Sequence, residues 1–61
     1  MLLNELTEIP KINTRVWNSV KTRLGTVTEH LGNDRIRIVW DETGTQLDWW
    51  WKDIAFELES E

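Results

Sequence analysis

The chain has 61 residues, five of them Trp, with no Cys and no Tyr. A chain this short forms one domain with a marginal core, burying only about 60% of its unfolded surface. The missing Cys excludes disulfides, a thiolate nucleophile and a zinc–thiolate site. Seven basic residues against eleven acidic ones give a formal charge of −4.

That charge is polarised along the chain. Residues 11–40 carry Lys11, Arg15, Lys21, Arg23, Arg35 and Arg37 against Glu29 and Asp34, a local +4. Residues 41–61 carry seven acids against Lys52, a local −6. The N-terminal stretch has no basic start and no long apolar run, and no segment approaches the ~20 apolar residues of a membrane span. These features predict a soluble, cytoplasmic protein that does not engage membranes.

In chain order, residues 1–13 form an N-terminal arm. Leu2, Leu6 and Ile9 have helical spacing, and Pro10 limits any helix to about two turns. Thr14–Trp17 is a short β-prone run, and Asn18–Arg23 is a polar loop. Leu24–His30 is a second strand, rich in β-branched residues. Gly32 and Asn33 tolerate the positive φ of a tight hairpin. Arg35–Trp40 alternates cleanly, with Ile36, Ile38 and Trp40 on one face and Arg35, Arg37 and Val39 on the other. Asp41–Gly44 is a turn, Thr45–Trp51 a fourth strand, Lys52–Ile54 a single 3-10 turn and Ala55–Leu58 a last strand. Residues 59–61 form a frayed tail.

Five short strands with little helix predict an all-β domain over residues 14–58. An open sheet this small leaves two edges and an apolar face exposed, so a strongly bent antiparallel five-stranded barrel is expected. Its expected core is Val16, Leu24, Val27, Ile36, Ile38, Trp40, Leu47, Ile54 and Phe56, with at least one of Trp49, Trp50 and Trp51.

Gly25-Thr-Val27, the alternating Ile36-Arg-Ile-Val-Trp-Asp41, Gly44, Trp49-Trp50 and Lys52-Asp-Ile54 together resemble the Src-homology-3-like small barrels. The similarity is to their Tudor-like and KOW-like branches and spans residues 14–58. It implies a binding module for peptides, methylated side chains, nucleic acids or larger complexes. Two features depart from those branches. Only Gly25 precedes the second conserved-type strand where a KOW motif has a longer glycine-bearing segment, and no Tyr is available for a Tudor-type cage.

The Trp triplet is the most distinctive feature. Strand alternation puts Trp49 and Trp51 on the face of Leu47, and Trp50 on the face of Asp48. Three indoles cannot all enter so small a core, so an exposed aromatic patch is expected. Trp is frequent at interface hot spots and stacks on bases and cations. Trp17 and Trp40 are candidates to join Trp50 in a rim groove. Asp41, Glu42 and Asp48, near it in sequence, suit a Lys- or Arg-bearing peptide. The expected protein-binding set is Trp50, Trp49, Trp51, Trp17 and Asp48.

An alternative set, Arg35, Arg37, Arg15, Lys21 and Arg23, would line a basic strand face for nucleic acid. A further alternative is a homo-oligomer whose contact combines the Trp patch with Leu2, Leu3 and Leu6. No pattern supports catalysis. His30 stands alone, Ser19 and Ser60 lack a nucleophile-elbow setting, and the three glycines stand singly. No enzyme, metal site or cofactor is expected. The size suits an accessory or modulator protein of the kind phages or plasmids encode.

Overall fold

The computed structural model describes residues 1–59. Five antiparallel strands form one sheet: β1 (Arg15–Trp17), β2 (Leu24–Gly32), β3 (Arg35–Trp40), β4 (Gln46–Trp50) and β5 (Glu57–Leu58). Their order is β4-β3-β2-β1-β5. The all-β expectation and the strand count hold, but the sheet does not close into a barrel. The reason is local to β5. It is two residues long, pairs with β1 through Val16–Leu58 and Trp17–Glu57, and gives its other side to the N-terminal segment rather than to β4.

The expected two-turn helix is also absent. Residues 2–9 contain only a 3-10 helix at Leu3–Glu5, opened by the Leu2 N–H donating to Glu5 Oε1 at 2.7 Å. Two of the arm's donors go outside it. Leu3 N–H donates to Phe56 O at 2.7 Å, and Asn4 N–H to Ile54 O at 3.1 Å. Leu58 N–H in turn donates to Met1 O at 3.0 Å. The turn stops because Leu6 goes extended, at φ −65° and ψ 150°, and carries the chain away from a helical path. Further along, the His30 ring donates from Nε2 to Pro10 O at 2.6 Å, pinning the arm to β2.

The hairpin between β2 and β3 forms where expected, but β2 runs on to Gly32 and the turn falls one residue later, on Asn33 and Asp34 rather than on Gly32 and Asn33. Asn33 and Asp34 both take positive φ, 54° and 62°, as a two-residue type I′ turn requires. β2 is longer than β3 because it absorbs two register shifts, between Val27 and Glu29 and between His30 and Gly32. Such bulges bend a strand and raise its twist. The bend brings His30, registered with Ile36, toward the arm.

The core is Leu3, Val16, Val27, Ile36, Ile38, Trp51 and Ile54, with Leu6, Ile9, Leu47, Phe56 and Leu58 packed against it. Two differences from expectation have clear causes. Leu24 alternates with buried Gly25 and so lies on the sheet's other face, half-buried. Leu3 is fully buried because the arm folds over the sheet. Trp40 is half-buried rather than enclosed, and its ring meets Phe56 at 5.4 Å between centroids. It fits only because position 25 has no side chain. A Cβ there would stand 2.8 Å from Ile38 Cγ2 and 2.9 Å from Trp40 Cε3.

Candidate functional site

The register of β3 and β4 fixes where each Trp of the triplet goes. Ile38 pairs with Leu47 and Ile36 with Trp49, so Leu47 and Trp49 share the core face. Arg37 pairs with Asp48 and Arg35 with Trp50 on the opposite face. The fourth strand ends at Trp50 rather than Trp51, and Trp51 opens a second 3-10 helix, Trp51–Asp53. That turn drives its indole inward. Trp51 is only 3% exposed, whereas Trp49 and Trp50 are 46% and 45% exposed. Trp51 therefore belongs to the core and leaves the accessible set. Its Nε1–H is buried without a hydrogen-bond partner, and Lys52 Nζ lies 5.6 Å from its ring centroid.

Trp49 and Trp50 meet edge to face around the strand edge, with centroids 5.2 Å apart and planes at 76°. Edge-to-face packing is a favoured aromatic geometry and orders two rings that solvent would otherwise leave free. Beside them, Leu47, Trp49, Asp53, Ile54, Ala55 and Phe56 line a concavity of about 350 Å³. Its walls are mostly apolar, with the Asp53 carboxylate as the one charge.

The expected aromatic groove does not form. Trp17 is registered with Leu24 on β1, at the end of the sheet where Trp40 lies, while Trp50 is registered with Arg35 at the other end. β2 and β3 stand between β1 and β4, so three strand spacings, about 14 Å, add to that offset. Trp17 and Trp40 share one end of the sheet but lie on opposite faces, and Trp50 lies at the other end.

Asp48 is engaged within the sheet. Arg37 Nε and Nη2 donate to its two oxygens at 2.9 and 3.1 Å, and Arg37 Nη1 donates to Glu29 at 3.0 Å. The Arg37 hydrogen bond holds the Asp48 carboxyl below its ordinary value, and Asp48 in return raises the guanidinium. Arg15 is likewise bound to Asp41, whose other oxygen accepts from Thr26 Oγ1 at 3.1 Å. Two of the five cations expected to meet phosphate thus already hold carboxylates. Lys21 and Arg23 sit on the β1–β2 loop, and Arg35 is at the far end of β3. Leu3 and Leu6, expected at an oligomer contact, are used in the chain's own core. Among the described residues no cluster of three or more potential metal ligands occurs, and no helix is long and apolar enough to cross a membrane.

Sequence reasoning missed two members of this surface, Asp53 and the Ile54–Phe56 wall. Their only signal was proximity to the triplet through the 3-10 turn. No family model, curated protein or solved structure matches the chain, so the surface itself carries the functional argument.

Proposed function

We propose that this protein is a non-enzymatic interaction module that offers the Trp49–Trp50 edge of its sheet to a protein partner. One observation carries the reading. Two adjacent indoles, each nearly half exposed, are held together in a fixed geometry beside an apolar concavity. A domain with so few core residues gains little from leaving its largest side chains in water, and rigid exposed Trp is what interface hot spots use. The basic-face alternative is less supported, because Arg15 and Arg37 already pair with Asp41, Asp48 and Glu29.

Affinity capture with wild type and Trp50→Ala, run in parallel, tests the reading. Trp50→Ala should keep the fold and lose the specific partner. An identical set of captured proteins would remove it. A mixed-sequence oligonucleotide added at low salt should leave Arg35, Lys21 and Arg23 unperturbed by NMR, and salt-sensitive shifts there would favour the nucleic-acid alternative.

A further inference from the structure

We propose that β4 takes up an extended, basic peptide by strand addition. The inference rests on the interaction-module reading and specifies its mode and its ligand chemistry.

The backbone of β4 is the starting point. Trp40 N–H donates to Thr45 O at 2.9 Å and Trp51 N–H donates to Asp34 O at 3.0 Å. In an antiparallel ladder these hydrogen-bonded pairs alternate with non-bonded ones. Residues 45, 47, 49 and 51 therefore turn their peptide groups toward β3. Gln46, Asp48 and Trp50 turn theirs away from it, and β4 is the last strand on this side.

Proteins commonly block such an edge with proline, an unpaired charge or a bulge. β4 has no Pro, and its register with β3 is uninterrupted from Arg35–Trp50 to Val39–Gln46. Its one charge, Asp48, is neutralised by Arg37. An added strand of five residues would span about 17 Å and meet the outward N–H and C=O of Gln46 and Asp48 and the N–H of Trp50.

The side chains of an added strand would alternate between the two faces. Those on the core face reach the concavity of Leu47, Trp49, Ile54 and Phe56 with Asp53 as its charge. A Lys or Arg suits this site, with its stem along the apolar wall and its head at the carboxylate and the Trp49 ring. On the opposite face Arg35 stands beside Trp50, so those peptide positions should be uncharged. Charge also decides against a second copy as the occupant. The chain carries −4, and pairing two β4 edges would bring the Glu42 and Asp53 carboxylates of both copies together.

The probe is an acetylated, amidated heptapeptide of alternating threonine and lysine, titrated into the full chain and followed by NMR and amide exchange. Binding should protect the amides of Gln46, Asp48 and Trp50 and shift the Trp49 indole. Asp53→Asn should weaken binding several-fold. The same peptide with its alternate amides N-methylated, or with aspartate for lysine, should not bind. Gln46→Pro removes one outward N–H and should also abolish binding, and the N-methylated peptide gives the same information if that variant does not fold. Absence of amide protection, equal binding of the N-methylated or aspartate peptide, or self-association through β4 in sedimentation would each overturn the proposal. Failure here with Trp50-dependent partner capture intact would leave the interaction module standing and refute only strand addition.

Discussion

The two edges of this sheet are treated in opposite ways. β5 is the weaker strand, two residues long, and the N-terminal arm pairs with its outer side. The arm contributes hydrogen bonds at Leu3 and Asn4, a bridge at Leu2 and a buried Leu3 side chain, and Met1 N lies 3.5 Å from Glu57. β4 is longer, regular and flanked by two exposed indoles. A chain that carries a device for sealing an edge has used it on one side only. The difference teaches that the arm's length and position let it cover one edge of so small a sheet and leave the aromatic edge as the outermost strand.

The largest effect should come from the residue that joins the open edge to the core. Trp51→Ala should cost about 3–5 kcal/mol, enough to unfold a domain of this size. Trp51→Phe should cost much less, because it deletes a buried N–H that has no partner and whose burial costs about 1–3 kcal/mol. Chemical denaturation of both variants checks the pair, and equal losses would mean the donor is satisfied. On the sealed edge, Leu3→Ala should cost about 2–5 kcal/mol, and amide exchange should quicken at Leu58 before it does in β3. Uniform exchange across the sheet would mean that arm and sheet open as one unit.

His30→Ala should be milder, about 0.5–1.5 kcal/mol, since it removes one hydrogen bond from the arm. A larger loss would give His30 a packing role as well. Trp50→Ala should cost only about 0.5–1.5 kcal/mol, the worth of its edge-to-face contact with Trp49, while losing the partner. The smallest effect is confined to acid. The Asp48 carboxyl titrates below its ordinary 3.8 in the folded chain. Its contribution is therefore present above that value and is lost as pH falls through the lower, folded one. Stability measured against pH should show a shallower acid limb in Asp48→Asn.

Much of the sheet is legible in the sequence because its signals are local. Arg35–Trp40 alternates without interruption, and the Gly32-Asn33 signal marks the hairpin to within one residue of the Asn33-Asp34 turn. The outward position of Trp50 follows from strand parity. What escaped is non-local. Leu2, Leu6 and Ile9 have helical spacing, yet the groups that engage the arm lie some fifty residues away at Ile54, Phe56 and Glu57. Closure of the barrel depended on that same choice of partner. Parity put both Trp49 and Trp51 on the core face, but only Trp51, carried inward by the 3-10 turn, is buried, and Trp49 stays 46% exposed at the sheet's edge. The grouping of Trp17, Trp40 and Trp50 failed because it required the strand order, which no single segment encodes.

The Trp49–Trp50 pair has an optical consequence. Two indole rings held 5.2 Å apart, with their planes at 76°, are close enough for their transition dipoles to couple excitonically. Circular dichroism of the folded chain should then carry a couplet of opposite sign that neither ring produces alone. Trp50→Phe should abolish it, whereas Trp17→Phe should leave it. A ligand that rotates either ring would change its amplitude, so the surface carries its own unlabelled reporter of occupancy.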